Sequence, residues 1–201
     1  MLKRLSALAV VLTVGALLIS QGIAGEKQTA AQVGAKAPLF SLPDQTGKMV
    51  NLADYSGKLV VLEWWNNECP VVQRHYKDNA MNNLAKKYAD KDVVWLAINS
   101  TNGKTNEDNK SAAQQMNMDR PVLNDASGDI GHMYGATNTP GMYVIDKQGN
   151  LAYMGAIDDN PSGKKATAKN YVAQALDELI SGQSVSESHT KQYGCSIKYA
   201  K

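Results

Sequence analysis

The chain has 201 residues, and its 21 Lys and Arg residues against 19 Asp and Glu residues give a formal net charge of +2. A charge so close to zero gives no electrostatic reason to bind nucleic acid or an anionic membrane surface, and we expect neither partner. Two cysteines are too few for a disulfide scaffold, so we expect one domain built around a hydrophobic core.

The first 24 residues have the pattern of a cleaved secretory signal peptide. Lys3 and Arg4 precede an uncharged apolar segment at 5–19, and small residues follow at a spacing that signal peptidase accepts. A membrane anchor is the alternative, but the apolar segment is shorter than the about 20 residues needed to span a bilayer. We therefore predict a signal peptide at 1–24 and a periplasmic or otherwise exported protein without stable membrane insertion after cleavage.

A linker at 25–36 leads into alternating strand and helix patterns over 37–182. The segment PLFSLPDQTGKMVNLADYSGK predicts a β-hairpin, and LVVLEWW predicts a buried central strand. A helix is expected from Pro70 to about Ala89, because proline suits the first turn and apolar residues then recur at helical spacing. DVVWLAINS predicts the next buried strand.

The second half of this region predicts a polar connection at NGKTNEDNKS and a short helix at SAAQQMNM. GMYVID and LAYMGAI predict an antiparallel hairpin with Gly149 in its turn, and KNYVAQALDELISG predicts an amphipathic helix that ends before Gly182. The order of elements indicates an α/β fold with a mixed sheet covered by helices. The tail at 183–201 carries Cys195 and shows no helical period.

Cys69 is the candidate nucleophile. It follows a predicted strand and directly precedes the proline that opens the predicted helix. The free N–H groups and partial positive charge at a helix N-terminus stabilise a thiolate, so we expect the pKa of Cys69 to lie below about 8.5. Such a placement is typical of a reactive cysteine.

Three segments carry a resemblance to a known family: LADYSGKLVVLEWWNNECP, YGATNTPGMYVIDKQGNLAYMGAIDD and the ending KQYGCSIKY. They resemble the redoxin branch of the thioredoxin superfamily, which is AhpC/TSA-like and peroxiredoxin-like, and within it an exported subgroup with a C-terminal YGCSxK tail. The resemblance implies a thioredoxin-like fold, with a central mixed sheet flanked by helices and an N-terminal β-hairpin extension. It also implies a thiol-dependent oxidoreductase, with disulfide exchange favoured over peroxidase activity.

The resemblance also implies roles for individual residues. The Thr139–Pro140 bond is expected to be cis, so that the backbone of Thr139 aligns a substrate beside Cys69. Glu63, six residues before that cysteine, is expected to be a buried acid that exchanges protons with the thiols, because burial raises the pKa of a carboxyl group. A solvated glutamate, or one paired with Lys58, is the alternative.

Two neighbours of the thiol are further candidates for substrate binding. Trp64 and Trp65 must point to opposite faces of their strand, so one is expected in the core. The other, taken as Trp65, is expected to form a wall of the thiol site. The side-chain amide of Asn66 is expected to donate a hydrogen bond to the substrate.

The sequence departs from the family patterns at the resolving thiol. Val72 occupies the second cysteine position of a Cys-x-x-Cys pair, which leaves Cys195 as the expected resolving cysteine. A permanent Cys69–Cys195 staple without catalysis is an alternative, since a bond that closes a loop of this size stabilises a fold by about 4–5 kcal/mol. A two-cysteine peroxidase is another, although Leu62 and Asn66 replace two residues of the peroxide-binding pattern.

No organic cofactor is expected, because a thiol pair is recharged by another thiol protein. The expected partners are a thiol or disulfide substrate protein, or a small hydroperoxide, and a reducing thiol protein. Copper-delivery proteins of this fold use Cys-x-x-x-Cys, whereas position 73 is Gln here, so no metal site is expected. His75 is a possible neighbour of the thiol, and His132 and His189 are expected at the surface.

Overall fold

The structure is a computed structural model that describes residues 30–200. The predicted signal peptide and the first residues of the predicted linker lie outside this range. The strands are β1 (Ser41–Pro43), β2 (Met49–Asn51), β3 (Leu59–Trp64), β4 (Val93–Asn99), β5 (Val122–Asn124), β6 (Asn138–Thr139), β7 (Gly141–Ile145), β8 (Leu151–Gly155) and β9 (Cys195–Ser196). The α-helices are α1 (Pro70–Lys77), α2 (Ala80–Ala89), α3 (Asn106–Gln115), α4 (Asp129–Met133) and α5 (Tyr171–Ile180), and a 3-10 helix spans Leu52–Tyr55.

The central sheet has five strands in the order β5-β4-β3-β7-β8. Strands β3, β4 and β5 are parallel, whereas β7 runs antiparallel to β3 and β8 antiparallel to β7. Strands β1 and β2 form the separate N-terminal hairpin that the sequence predicts. The fold is therefore the thioredoxin-like arrangement, with a mixed sheet, flanking helices and a hairpin extension.

Strand β3 separates two hydrophobic clusters because its side chains alternate between the two faces of the sheet. Trp65, just past its end, lies in the cluster that includes Cys69 and residues of α1, α2 and α5. Trp64 lies in the other cluster, with the N-terminal hairpin and Tyr134. Both indoles are completely buried, which confirms that the two tryptophans face opposite ways.

Two predicted elements need correction, and two short elements have no counterpart in the prediction. The single helix expected from Pro70 to Ala89 is two helices, because Asn79 adopts a left-handed backbone with φ 57° between them. The helix expected at SAAQQMNM begins earlier, at Asn106, because Thr105 and Asp108 form a capping box within the segment predicted to be a loop. Strand β5 and helix α4 were not predicted, since each is only a few residues long.

The C-terminal tail is docked on the domain along its length. The amide of Thr190 donates a hydrogen bond to the Met154 carbonyl oxygen in β8, and the amide of Ile197 donates to the Thr137 carbonyl oxygen. The carbonyl oxygen of Lys198 accepts a hydrogen bond from the Asn102 amide. Strand β9 pairs antiparallel with β6, directly beside the cis Thr139–Pro140 peptide bond. Within residues 30–200 no helix is both long enough and apolar enough to cross a membrane.

Candidate active site

The loop after β3 places Cys69 at the head of α1. The side-chain oxygen of Asn66 accepts a hydrogen bond from the Glu68 amide at 2.8 Å, and the Cys69 amide donates to the Asn66 carbonyl oxygen at 3.1 Å. These bonds shape a turn that makes Cys69 the N-cap residue and Pro70 the first residue of the helix. The Cys69 side chain is only 1% exposed. Asn66 is therefore a turn former in this state.

The residue before the cis proline touches the thiol directly. Cys69 Sγ donates a hydrogen bond to the carbonyl oxygen of Thr139 at 3.1 Å. The Thr139–Pro140 bond is cis, as the resemblance implied. The hydroxyl of Thr139 is buried and has no hydrogen-bond partner among the described residues. It is thus a spare donor next to the sulfur.

The tail brings the second sulfur to the same place. Cys195 lies opposite Thr139 in the β6–β9 pair, and the Ile197 amide extends this pairing by donating to the Thr137 carbonyl oxygen at 3.0 Å. Both cysteines are free thiols, with Cys69 buried and Cys195 partly exposed. The two thiols are close enough that each changes the pKa of the other.

The two thiols have opposite acidities. Burial works to raise the pKa of Cys69, but the neighbouring Cys195 thiol, the Val72 amide and the Thr139 hydroxyl outweigh it and lower that pKa. Burial and the neighbouring Cys69 raise the pKa of Cys195 to about 11, although Lys198 and the Val71 amide oppose the rise. When the pair loses one proton, the negative charge is therefore favoured on Cys69 and the remaining proton on Cys195.

Glu63 is buried on the same face of the sheet as Cys69, within a polar network. Its carboxylate accepts hydrogen bonds from Tyr76 at 2.9 and 3.1 Å and from the Trp95 indole at 2.9 Å. Arg120 lies 3.6 Å from the carboxylate and donates to the Tyr76 hydroxyl at 2.7 Å. Burial raises the pKa of Glu63 and outweighs the opposing effect of Arg120.

Arg120, and not Lys58, is therefore the cation beside this glutamate. None of the hydrogen bonds found for Glu63 in the described part of the chain reaches Cys69 directly. The link between the two residues is α1, which carries Cys69 at its N-cap and Tyr76 near its end.

The tail is held beyond Cys195 by aromatic residues. The Tyr193 hydroxyl donates to Asp158 and lies 3.3 Å from the Nε2 atom of His75, a side chain that is only 7% exposed. Tyr199 stacks on His132 with 4.0 Å between ring centroids, and its hydroxyl donates to the Ala136 carbonyl oxygen at 2.7 Å. These anchors lie on either side of the cysteine, so the tail covers the thiol site.

The histidines do not form a metal site with other residues. His75 is buried beside the thiol helix, whereas His132 and His189 are exposed, as predicted for these two. Among residues 30–200 no cluster of three or more His, Cys, Asp or Glu side chains is suited to hold a metal ion.

The sequence analysis identified both cysteines and the cis proline but missed the residues that position them. Arg120 follows a polar stretch without any motif; the signal that points to it is a glutamate inside a buried strand, which needs a partner. Tyr76 lies within the predicted helix, and nothing in the local sequence indicates a hydrogen-bonding role for its hydroxyl group. Tyr193 and Tyr199 flank Cys195 in a segment without periodicity, so no pattern indicated where they would dock.

Known proteins resemble this chain in both sequence and structure. The profile of the AhpC/TSA family matches residues 33–154. Thiol-disulfide oxidoreductase ResA of Bacillus cereus is 31% identical over an alignment of 143 residues, and the match covers 67% of this chain and 80% of that protein.

Among solved structures, a hypothetical protein from Sinorhizobium meliloti 1021 is 27% identical with a TM-score of 0.77, covering 86% of this chain and 97% of that one. A putative thiol:disulfide interchange protein DsbE from Chlorobium tepidum is 26% identical with a TM-score of 0.58, covering 76% of this chain and 98% of that one.

Proposed function

We propose that this chain, which belongs to the AhpC/TSA family, is an exported thiol-disulfide oxidoreductase in which Cys69 attacks and Cys195 resolves. The observation that carries the proposal is the meeting of the two thiols at the N-terminus of α1. The Val72 amide contributes to the lowered pKa of Cys69, and the Val71 amide opposes the rise in the pKa of Cys195. A purely structural disulfide does not need a helix end that favours thiolates.

The chain is a thiol-dependent oxidoreductase, and disulfide exchange is favoured over peroxidase activity. Two of the similar proteins described above, ResA of Bacillus cereus and the putative DsbE from Chlorobium tepidum, are named as a thiol-disulfide oxidoreductase and a thiol:disulfide interchange protein. The site agrees with this choice, because Leu62 and Asn66 stand where the peroxide-binding pattern has other residues, and Asn66 is engaged in the turn before Cys69.

The proposed reaction has two exchange steps. The Cys69 thiolate attacks one sulfur of a substrate disulfide, which forms a Cys69–substrate disulfide and releases the other substrate sulfur as a thiolate that takes up a proton. Cys195 then gives up its proton and attacks the sulfur of Cys69. The Cys69–Cys195 bond forms, and the second substrate thiol leaves. The substrate gains two electrons and two protons, which a reducing thiol protein later restores to the enzyme.

The opposite acidities of the two thiols give these steps their order. Cys69 is the better nucleophile in the reduced enzyme because it is the thiol that ionises first. Part of the rise in the pKa of Cys195 comes from Cys69 itself, through hydrogen bonding and charge, after the larger effect of burial. Once Cys69 is bound in a mixed disulfide that charge is gone, and Cys195 ionises more readily.

The remaining candidate residues take supporting roles in this proposal. Thr139, beside Pro140, presents its carbonyl oxygen to the thiol and its free hydroxyl to the thiolate. Glu63 stores a proton in the buried network behind α1. Trp65 is fully buried in the cluster that contains Cys69, so it meets a substrate only when the tail moves away. Asn66 fixes the turn, and its amide group is available for a substrate contact.

Export is proposed from the residues at 1–24, with their basic start and apolar segment. Expression with the natural N-terminus and mass measurement of the product tests this point. A mature chain that begins near residue 25 is expected, and an uncleaved chain would contradict it.

The main experiment is a kinetic trap in the Cys195→Ser variant. We expect a mixed disulfide between Cys69 and a model substrate disulfide to accumulate, because serine cannot resolve it. Intact-mass measurement after acid quenching detects the adduct. Cys69→Ser is the matched control and is expected to form none. If Cys195→Ser turns over as fast as the wild type, Cys195 has no part in the mechanism.

Rapid mixing with hydrogen peroxide separates exchange from peroxidase chemistry. Under the proposal, Cys69 reacts with peroxide about as slowly as a free thiol, because the peroxide-binding pattern is incomplete. A fast second-order oxidation to a sulfenic acid that condenses with Cys195 would instead identify a peroxidase.

A further inference from the structure

The surface that receives a substrate is occupied by the protein's own tail. Cys69 is only 1% exposed, and Tyr193 and Cys195 pack against the hydrophobic cluster that contains it. Strand β9 uses the backbone of β6 as its partner, with Cys195 opposite Thr139 and Ser196 opposite Asn138. A substrate disulfide therefore reaches Cys69 only after this segment has lifted away.

A lifted tail leaves an unpaired strand edge. The groups of Asn138 and Thr139 that face β9 lose their partners, and an extended polypeptide is the occupant that satisfies such an edge. Thr139 is only 2% exposed, so water does not solvate this edge freely in the closed state. A strand that docks in the register of β9 places its own cysteine where Cys195 lies, beside Cys69.

We propose that the substrate is an extended segment of a partner protein with a Gly-Cys sequence, which replaces residues 194–196 on the β6 edge. This inference rests on the proposed function and names its substrate class. The tail then acts as a built-in copy of the substrate strand. After the mixed disulfide has formed, the substrate strand leaves the edge while its cysteine stays bonded to Cys69, and the returning tail brings Cys195 back to resolve that bond.

The requirement for glycine comes from the fit of Gly194 against the chain. Its backbone has φ 105°, a region that other residues rarely adopt. A Cβ atom at this position would overlap the carbonyl group of Thr139 and lie 3.4 Å from the Pro140 ring. A substrate strand in the same register meets the same obstruction just before its cysteine. The edge therefore selects against any side chain at that point.

The far end of the tail sets how readily the edge opens. Tyr199 packs its ring over Gly128 and Gly131, where any Cβ atom would collide with it, and hydrogen bonds to Ala136. These contacts lie away from both sulfurs. Weakening them releases the tail without altering the residues that react.

The test uses the full chain with Cys195→Ser and two peptide probes. One probe copies residues 192–198 and carries thiopyridine on its cysteine, and the other is identical except for alanine at the position of Gly194. Attack by Cys69 releases thiopyridone, which is followed by absorbance. Each rate is divided by the rate of the same probe with glutathione, which removes differences in intrinsic reactivity.

We expect the glycine probe to react about tenfold faster than the alanine probe, since a strained non-glycine backbone costs one to a few kcal/mol. Adding Tyr199→Ala should accelerate both probes and keep their ratio, whereas Tyr199→Phe, which retains the ring, should have a smaller effect. Equal rates for the two probes, or no acceleration in Tyr199→Ala, would overturn the inference.

A small disulfide, dithiodipyridine, distinguishes this failure from failure of the proposed function. If the enzyme reacts faster with it than glutathione does but does not distinguish the peptides, the exchange function stands and only the substrate class is wrong. If Cys69 reacts no faster than glutathione even with the small disulfide, both proposals fail.

Discussion

Thr139 contacts both cysteines of the proposed redox pair: its carbonyl oxygen accepts a hydrogen bond from the Cys69 thiol at 3.1 Å, and its backbone pairs with that of Cys195. The residue before the cis proline therefore contacts the attacking cysteine and pairs with the tail at the same time. A cysteine 126 positions further along the sequence takes the place that a Cys-x-x-Cys enzyme fills from within the same helix turn. As a consequence, the tail covers the attacking thiol and limits its access to substrates.

The acidity of Cys69 is expected to depend on a hydrogen-bond donor at position 195. Among the effects that lower the pKa of Cys69, the hydrogen bond from Cys195 is the largest, and burial opposes it. Cys195→Ala should therefore raise the pKa of Cys69, whereas Cys195→Ser keeps a hydroxyl donor and should raise it less. The ultraviolet absorbance of the thiolate, titrated against pH, measures both values.

The sign of the pH effect follows from the thiolate being the nucleophile. The rate of exchange should rise as pH increases through the pKa of Cys69 and level off above it, with the midpoint below that of an ordinary thiol. In Cys195→Ala the whole profile should move to higher pH. Identical midpoints in the wild type and the alanine variant would show that Cys195 does not influence the ionisation of Cys69.

Glu63 can be tested with a variant that keeps its shape. Glu63→Gln still accepts hydrogen bonds from Tyr76 and Trp95, and burial already favours the uncharged carboxyl group. We expect it to change the free energy of unfolding by about 1 kcal/mol at neutral pH, whereas Glu63→Leu leaves the buried donors of Tyr76 and Trp95 without their acceptor and should cost about 3–5 kcal/mol. Denaturant unfolding measures both.

The same pair of variants tests proton transfer. If Glu63 handles protons, Glu63→Gln should lower the exchange rate by about a hundredfold while remaining folded. Tyr76→Phe, which keeps the carboxyl group, is the control and should be much less affected. A folded Glu63→Gln enzyme with an unchanged rate would remove Glu63 from the mechanism.

Glu63 also predicts the direction in which stability depends on pH. Its pKa is higher in the folded protein than in the unfolded chain, so the folded state binds more protons between the two values. The stability of the wild type should therefore fall as pH rises from the ordinary glutamate range through the raised pKa. Glu63→Gln should lack this decline, and the difference between the two unfolding curves measured against pH isolates it.

The parts of the fold that were predictable are those with a local pattern. Strand β3 could be predicted because its run of apolar residues is typical of a strand buried on both faces. The start of α1 could be predicted because a proline directly follows Cys69. The break at Asn79 was not, since the apolar spacing continues across it. The start of α3 was overlooked although Thr105 and Asp108 have the spacing of a capping box.

The site was predictable only where the chemistry is concentrated in a few residues. Cys69, Thr139 and Pro140 follow from a motif, but the position of Cys195 depends on contacts made elsewhere in the tail. Tyr193 reaches Asp158, and Tyr199 reaches a surface formed by glycines. Contacts of this kind join residues far apart in sequence, and no local pattern encodes them.

The redox couple should be a working one, with a reduction potential near about −200 mV or above, whereas a permanent staple would lie below about −300 mV. Equilibration with glutathione buffers, followed by thiol counting, measures it. Oxidation should also stabilise the fold against denaturant, by up to about 4–5 kcal/mol for a loop of this length. A potential below the staple limit would favour a structural bond, and the Cys69→Ser variant provides the reference without a disulfide.

Tyr193 should control local opening of the tail. Its hydroxyl donates to Asp158 and lies 3.3 Å from His75, whose pKa is lowered by burial despite the nearby Asp158. Tyr193→Phe loses a hydrogen bond worth about 1 kcal/mol, so the amides of β9 should exchange with solvent about fivefold faster.

The control for this experiment is Thr105→Ala, which removes the capping box of α3 at a similar cost of about 1 kcal/mol but involves no contact with the tail. Exchange in β9 should be unchanged in that variant. Faster exchange in both variants would mean that the tail opens only with the whole domain. In that case a substrate could reach Cys69 only by global unfolding, and the tail could not alternate with a substrate on the edge beside Thr139.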